Sequence, residues 1–471
     1  MKKHIKDFTS GNIIKQLVTF STPLFLCNLM QVVYNMADMF IVGQVHGKVG
    51  ISAVSVGGDL CNLLTFVAIG FSGAGQVLVA KYIGAGQKDR IGKFTGTMCS
   101  FLLSSAVVIS IFSIIFQDAL LRFMKTPDEA YETAAEYSLI CMIGLVFIYG
   151  YNMCSAVLRG MGDSKHPFIF ISLAACMNIV LDILFVVILG IGAKGAALAT
   201  VISQGTSFLL CAAFLLKNRR DFELTATLRD FIVPDKAMLV SLVKLGIPMA
   251  IKMASVQISK LFVNSHINAY GVEVSAFSGI ANKISNISNL VSAALNTAGS
   301  TMVGQNIAAG KEKRVKNILG TLATIGISVS TVITVIFFFF KDEIIGFFAD
   351  GDMSVVAVGE HFFGIAALFF YASALRAFMN ALLNGSGNTK VNFATAIFDG
   401  IIMRFGLAIL FGIVLKMEYY GFWLGDALAG FTPFVIGVVF YVTGSWKKNM
   451  PSKSDAAEAP SPIQKSAEKL N

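Results

Sequence analysis

The residues best suited to chemistry in this sequence are polar side chains that interrupt long apolar runs. Asp38, Asn178, Asp182 and Thr200 form the clearest set. A carboxylate at the centre of a bilayer costs about 2.5–3.5 kcal/mol on insertion scales, so an acid in such a run is a functional hypothesis by default. The alternative is an acid neutralised in a structural ion pair. Two carboxylates, an amide and a hydroxyl suit a proton relay or a Na⁺ site built from oxygen ligands.

Three of these side chains are predicted to lie at a similar depth in the membrane, with Asn178 one helical turn deeper. Asp38 is five to eight residues before the outer end of the first apolar run, and Asp182 is eight before the end of the fifth. Thr200 is six residues after Lys194, where the sixth run begins on the outer side. At 1.5 Å per helical residue, all three lie about 8–12 Å below the outer surface. Asn178 shares a helix face with Asp182 through i,i+4 spacing.

The elements that must position these residues are membrane-spanning helices. Of 471 residues, 55% are hydrophobic and 14% are charged, compared with roughly 25% charged in soluble domains. A span needs about 20 apolar residues. Six runs lack charges, and they cover residues 60–80, 94–117, 137–158, 195–216, 284–310 and 317–340. Six more contain interior charges, and they cover 13–43, 166–190, 238–271, 355–385, 391–415 and 419–445. We therefore predict an all-α integral membrane protein with twelve transmembrane helices.

The distribution of basic residues predicts the orientation and the domains. The net charge of +9 is concentrated in alternate short loops, at 81–93, 159–165, 217–236, 311–316 and 390. This pattern follows the positive-inside rule, so we expect no nucleic-acid partner and place both termini in the cytoplasm. The predicted units are an N-lobe at 1–217, a cytoplasmic linker at 218–237, a C-lobe at 238–446 and a disordered cytoplasmic tail at 447–471.

An internal repeat supports the division into two lobes. Gly75, Val79, Ile83, Gly86 and Arg90 recur 224 residues later with identical residue types and spacing, and a second block, which includes Gly160 and Gly162, recurs at an offset of 225. Six helices per half give both halves the same orientation. The lobes are therefore expected to be related by a pseudo-two-fold axis along the membrane normal, with a substrate cavity between them.

The sequence contains no pattern that points to enzymatic chemistry. No G-x-x-x-x-G-K-[ST] motif is present, and Gly160-Met-Gly162 and Gly385-Ser-Gly387 are interpreted as turns between helices. The seven cysteines form no C-x-x-C pair and are interpreted as packing residues. We therefore predict that the protein is not an enzyme and binds no cofactor, and that transport is passive or driven by an ion gradient, with H⁺ or Na⁺ as the coupling ion.

Further polar residues are candidates for the substrate cavity. Gln31 and Tyr34 continue the face of Asp38 at i−7 and i−4. The other candidates lie in spans of both lobes, and they are Asp59, Gln257, Lys283, Arg376 and Asp399. Asp59 and Lys283 occupy equivalent repeat positions near the predicted outer ends of their spans. They either meet when the lobes close on the outer side or each face water in an open cavity.

The site residues carry a family resemblance. They are Gln31-x-x-Tyr34-x-x-x-Asp38, Asn178-x-x-x-Asp182 and Thr200. This set resembles the N-lobe cation site of multidrug and toxic compound extrusion (MATE) transporters, and the repeated glycine-rich loops are similar to theirs over about residues 10–445. The resemblance implies export of amphipathic, often cationic, drugs or toxins in exchange for H⁺ or Na⁺ by alternating access. It further implies a multi-pass protein of the plasma membrane, and we expect it to act as a monomer.

The C-lobe departs from one branch of that family. NorM-like members carry acids on spans 7 and 10, whereas span 7 here has Lys252, Gln257 and Lys260, and span 10 has only Glu360 near its end and Arg376 within. The pattern therefore resembles DinF-like transporters, with coupling in the N-lobe. The lysines add positive charge to the cavity, or they extend to the interface or pair with Asp399.

Two other functions remain open from the sequence alone. A lipid-linked oligosaccharide flippase can share a two-lobe architecture, but extra spans that form a lipid groove would favour it, and we count twelve. A gated channel or sensor would favour symmetric pore rings. An internally duplicated chain with acids in asymmetric positions fits that arrangement poorly. Movement of a solute against its gradient distinguishes a pump from a channel.

Overall fold

The computed structural model describes residues 5–451 except 125, 226, 350, 351, 360 and 361. Glu360 and the greater part of the predicted tail, from residue 452 onward, lie outside the described residues. Among the described residues the regular elements are helices, arranged as two bundles of six long helices. The all-helical fold predicted from the sequence is confirmed.

The membrane helices are numbered in chain order. In the N-lobe they are α1 (Ile13–Gly47), α2 (Val49–Gly84), α3 (Asp89–Ile115), α4 (Asp128–Ile143 and Leu145–Gly160), α5 (Lys165–Ile188) and α6 (Ala193–Lys217). In the C-lobe they are α7 (Lys236–Ile267), α8 (Val272–Ala308), α9 (Glu312–Phe348), α10 (Phe363–Ser386), α11 (Thr389–Val414) and α12 (Glu418–Val442). Short helices outside this set are Gln117–Phe123, Leu228–Ile232, Met353–Gly359 and the 3₁₀ turns Asn268–Tyr270 and Ser445–Asn449.

Hydropathy alone identifies fewer spans than the fold contains. In the described part of the chain, ten of these helices are long and apolar enough to cross a membrane, and α4, which bends by 46° at Gly144, makes eleven. The twelfth is α8, a 37-residue helix rich in Ser, Asn and Thr. Many of its polar residues are buried within the protein, which spares them contact with lipid.

Local sequence explains where several helices begin and end. Asn12 caps α1 by accepting from the N–H of Lys15. Gly47 separates α1 from α2 with φ 57°, a conformation that glycine adopts without steric cost. Asp235 caps α7 and lies 2.7 Å from the Lys93 ammonium. The hydrogen bond from Lys93 and the N–H groups at the start of α7 lower the pKa of the Asp235 carboxyl.

The internal repeat appears as equivalent packing in the two lobes. A Cβ on Gly160 would lie 2.7 Å from the Cβ of Val79, and one on Gly385 would lie 3.0 Å from the Cβ of Val303. The glycines are 225 residues apart and the valines 224. Each glycine thus lets α4 or α10 approach the second helix of its own lobe.

The lobes contact each other at one end of the molecule, called here the basic end because it carries the loops around Lys81, Arg159 and Arg314. The Gln76 side chain on α2 donates to the Thr297 carbonyl and the Thr301 hydroxyl on α8, at 3.1 and 2.7 Å. Lys81 Nζ donates to the Ser386 carbonyl at 2.7 Å. The basic end is therefore closed by hydrogen bonds between the lobes.

The N-terminal segment reinforces this closure. The N–H of Lys6 donates to the Met161 carbonyl in the N-lobe, and the N–H of Phe8 donates to Gln305 Oε1 on α8. Arg314 on α9 donates to the carbonyls of Phe8, Ser10 and Gly11. The segment before α1 is thus held by both lobes.

The predicted position of Asp59 and Lys283 near the outer ends of their spans is wrong. Helix α2 begins at Val49 and α8 at Val272, so these residues lie ten and eleven positions inside their helices rather than near the ends. The helices are longer than the 20-residue minimum because they continue past the hydrophobic runs. Asp59 and Lys283 are both exposed and form no ion pair with each other within the described chain; the Lys283 ammonium lies over the Phe348 ring, 5.4 Å from its centroid.

Candidate functional site

The N-lobe brings the four predicted coupling residues together inside its bundle. Asp38 comes from α1, Asn178 and Asp182 from α5, and Thr200 from α6. The exposed fractions of Asp38, Asn178 and Asp182 are 4%, 2% and 0%. Thr200 Oγ1 donates to Asp38 Oδ2 at 3.4 Å, and the Asp38 carboxyl adjoins Asp182 and Asn178. The arrangement joins three helices through one polar cluster.

Several polar atoms of this cluster have no hydrogen-bond partner among the described residues. They are Asp38 Oδ1, both carboxyl oxygens of Asp182, and both polar atoms of the Asn178 amide. Buried polar groups are almost always paired, since an unpaired one costs about 1–3 kcal/mol. Two adjacent carboxyl groups with free oxygens can share a proton or coordinate a small cation. The residues therefore fit either form of the predicted cation site.

The helix segment that carries Asp182 is irregular in a way that suits a site. After Asp182, α5 continues as a π-helical turn, Ile183–Ile188, and a corresponding turn, Ile409–Val414, ends α11 in the C-lobe. Such turns occur frequently at functional sites because they shift the side chains that follow.

A cavity of about 200 Å³ adjoins the cation cluster in the N-lobe. Its polar lining includes Tyr34, Asn178, Thr200, Ser203 and Gln204. Gln204 Nε2 donates to the Tyr34 hydroxyl at 3.4 Å. We did not predict Ser203 and Gln204, although they follow Thr200 at i+3 and i+4 and so share its helix face.

The other predicted cavity residues lie in two kinds of environment. Gln31, Asp59, Gln257 and Lys283 are exposed on four different helices. Arg376 and Asp399 instead belong to a polar interior of the C-lobe. The predicted set therefore divides between the surfaces of both lobes and the inside of one.

A buried ion network occupies the C-lobe interior. Arg404 on α11, 2% exposed, forms a short ion pair with Asp426 on α12 and lies 3.5 Å from an oxygen of Asp399. The predicted partners of Asp399 were the lysines of α7, yet Lys252 donates to Asn380 on α10 at 2.7 Å. We did not predict Arg404 and Asp426, although each is a charge inside an apolar run.

Next to this network lies a second cavity, of about 430 Å³ when the space open to solvent is included. Its charged lining residues are Lys260, Arg376, Arg404 and Asp426. Arg376 donates to Asn289 Oδ1 on α8 at 2.7 Å. The C-lobe interior thus differs in charge from the acidic cluster of the N-lobe.

Two six-helix lobes that meet at one end, each with a polar interior, define a membrane transporter of the two-lobe type. A family model described as MatE matches residues 23–184 and 248–412, one segment in each lobe. The chain therefore belongs to the MatE family, as its resemblance to MATE transporters implied.

Relatives and solved structures agree with this membership. The probable multidrug resistance protein YpnP of Bacillus subtilis is 29% identical over 446 residues, which cover 94% of this chain and 97% of the relative. The probable multidrug resistance protein NorM of Thermotoga maritima is 23% identical, with 95% of this chain and 96% of the relative covered. A structure described as an outward-facing conformation of a multidrug resistance MATE family transporter covers 96% of this chain and 99% of that one, with a TM-score of 0.86 and 23% identity. The twelve-helix, two-lobe fold is thereby confirmed.

Proposed function

We propose that this protein is a multidrug efflux transporter of the plasma membrane that exchanges amphipathic compounds for H⁺ or Na⁺ by alternating access. The coupling cation binds at Asp38 and Asp182, with Asn178 and Thr200 as further ligands. The observation that carries the proposal is the pair of adjacent, buried carboxyl groups of Asp38 and Asp182. Three of their four oxygens have no hydrogen-bond partner among the described residues. The names of the relatives, which describe multidrug resistance proteins, support the substrate range.

The chemistry of the site follows from the cost of burying charge. Two neighbouring carboxylates that are both ionised repel each other and are poorly solvated, so one of them binds a proton or both share a cation. A Na⁺ ion requires several oxygen ligands, and the carboxyl, amide and hydroxyl oxygens of the cluster supply them. Binding and release of either ion changes the charge inside the N-lobe by one unit.

The lobe arrangement supports an order of events. The lobes are joined at the basic end, and the positive-inside rule assigns that end to the cytoplasm, with both termini there. The conformation is then outward-facing, so the cation enters the N-lobe cluster from outside while substrate leaves. Tyr34 and Gln31 share α1 with Asp38, so a shift of α1 on cation binding changes the surface that faces the substrate.

The driving force is adequate for an efflux pump. One monovalent cation that crosses about 100 mV releases about 2.3 kcal/mol, which sustains a solute gradient of roughly 50-fold. Export of toxic compounds from a cell requires no steeper gradient than this.

Efflux from proteoliposomes under separately imposed pH and Na⁺ gradients tests the proposal. Asp38→Asn and Asp182→Asn are each expected to abolish uphill efflux of a fluorescent amphipathic dye while the protein remains folded in the membrane. Glu132→Gln is the control, since Glu132 is an exposed acid on α4 of the same lobe. Uphill efflux that persists in the Asp38→Asn, Asp182→Asn double variant would refute coupling at this cluster.

A further inference from the structure

We propose that the C-lobe contains an oxyanion-binding site, centred on Lys260 and Arg376, for the carboxylate of an amphipathic organic acid. The site deepens the proposed function by naming a substrate class, and its role in export rests on that function. The ability of the site to bind a carboxylate does not depend on the proposed function.

The charge balance of the C-lobe interior is the first argument. Four basic side chains, Lys252, Lys260, Arg376 and Arg404, accompany two acids, Asp399 and Asp426. Both acids lie against the single guanidinium of Arg404, at 3.5 Å for Asp399 and closer for Asp426. Within the described chain the remaining three bases have no carboxylate within ion-pair distance, so the region carries two uncompensated positive charges. Such charge is costly to hold inside a membrane protein unless an anion offsets it.

The positions of the two central bases are the second argument. Lys260 on α7 lines the cavity beside the Arg404 network and also a smaller, adjoining cavity of the C-lobe. Among the described residues no side chain or carbonyl hydrogen-bonds its ammonium. Arg376 on α10 lines the larger cavity and uses one nitrogen to donate to Asn289. An ammonium and a guanidinium that face one cavity from different helices can bind the two oxygens of a carboxylate.

Neutral donors complete the site. Asn289 Oδ1 accepts from both Arg376 and Ser373, at 2.7 and 3.0 Å, and these two bonds determine which way the amide is turned. The Nδ2 group of Asn289 is then left to donate towards the cavity. Ser285 and Asn282 line the same space from α8. A hydroxyl and two amides beside two bases favour an oxyanion over a cation.

The adjoining cavity has apolar and aromatic side chains on part of its wall, beside the polar Asn264 and Asp426. The cavity that shares Lys260, Asn282 and Ser285 is also lined by Val263, Ala281, Phe369 and Trp423. An apolar wall beside a cationic end matches a ligand with an aromatic body and one anionic group.

The bases are not a by-product of the internal repeat. At the offset of 225 residues, Lys260 corresponds to Asn35 and Arg376 to Tyr151. The six-helix lobe therefore folds without positive charge at these positions. The basic pair is a feature of the C-lobe alone, opposite to the acidic pair of the N-lobe.

Binding can be measured directly because Trp423 lines the site. The chain has two tryptophans, and Trp446, fully buried near the basic end, is removed by Trp446→Phe. In nanodiscs of phosphatidylcholine, para-nitrobenzoate is expected to quench Trp423 saturably, with at least tenfold higher affinity than the uncharged para-nitrobenzamide. Equal affinity for the acid and the amide would overturn the proposal, and this comparison requires no change at the site itself.

Variants then locate the site. Lys260→Gln and Arg376→Gln are each expected to weaken binding of the acid by about tenfold and leave the amide unaffected. Lys244→Gln is the matched control, because Lys244 is exposed on the same helix α7. Wild-type affinity in a folded Lys260→Gln, Arg376→Gln double variant would place the anion elsewhere. The binding measurement uses no ion gradient. A protein that binds the acid but does not couple transport to a cation therefore still gives the expected result, whereas a coupled transporter without an anion site does not bind the acid preferentially.

Discussion

The last residue of α2, Gly84, lies directly against the backbone of Gln305 on α8. A Cβ on Gly84 would be 2.1 Å from the Gln305 carbonyl oxygen, a distance that no side chain can occupy. Backbone cannot move aside as a flexible side chain can, so this contact requires glycine. Because Gln305 also binds the N-terminal segment, the contact lies at the centre of the closed basic end.

Gly84→Ala is expected to shift the protein towards a state in which the basic end is open. The added Cβ clashes only when the lobes are closed at the basic end. When that end is open, alanine is favoured over glycine in a helix by about 1 kcal/mol. Spin labels on Gln87 and Lys313, on a cysteine-free background, report the separation of the lobes by pulsed electron resonance. The control is Gly58→Ala on the same helix, where a Cβ meets nothing within 4 Å. Identical distance distributions in the two variants would contradict the prediction.

The orientation derived from the loops can be tested by labelling. Cysteines introduced at Glu129 and Asp342 are expected to react with an impermeant maleimide added to intact cells, because the positive-inside rule places these loops outside. Cysteines at Gln87 and Lys313, at the basic end, are expected to react only after the cells are opened. All four positions are exposed, so accessibility within the protein is matched. Reaction of the second pair in intact cells would reverse the topology.

The Arg404 network is expected to dominate the stability of the C-lobe interior. Arg404→Met leaves Asp399 and Asp426 buried without a cation, which costs about 3–5 kcal/mol and lowers the thermal unfolding midpoint. Arg404→Lys, which keeps a cation beside both acids, is expected to retain much of that stability. An Arg404→Lys variant no more stable than Arg404→Met would show that the positive charge of Arg404 is not what stabilises the region.

Thr200→Ala distinguishes the two coupling ions. If Na⁺ binds the cluster, loss of a hydroxyl ligand is expected to raise the half-saturating Na⁺ concentration by about tenfold, since one hydrogen bond or ligand is worth roughly 1.4 kcal/mol. If a proton binds, pH-driven efflux is expected to change little. Thr206→Ala on the same helix is the control, because the Thr206 hydroxyl donates to its own backbone at Ile202. Loss of efflux under both gradients would show instead that Thr200 is needed for folding or for substrate.

Asp59 and Lys283 are expected to approach each other when the outer side closes. They occupy equivalent repeat positions on α2 and α8, and in the present conformation both are exposed. If the pair forms, Asp59→Lys and Lys283→Asp each impair efflux and the double variant recovers it, because attraction is restored with the signs exchanged. Failure of the double variant to exceed either single variant would exclude the pair.

The number of spans and the polar cluster inside the N-lobe could be predicted from the sequence. Lipid penalises charge so strongly that Asp38 and Asp182 are conspicuous in their runs, and helical rise places them at similar depth. The residue pattern that begins at Gly75 recurs from Gly299, and this repeat predicted the two lobes. Helix α8 was also predicted, because residues 284–310 form a long run without charges, although its hydropathy is too low to identify it as a span.

Only the tertiary structure decided which charges meet. Along α11, Asp399 precedes Arg404 by five residues, and the sequence offered the lysines of α7 as partners equally well. The rotation of each helix about its axis, set by packing against several neighbours, turned Arg404 towards Asp399 and Asp426 and left Lys260 facing a cavity. The periodicity of the sequence describes the faces of one helix at a time, whereas an ion pair depends on the distance between side chains on two different helices. For the same reason Asp59 and Lys283, equivalent in the repeat, lie apart while the lobes are joined at the basic end.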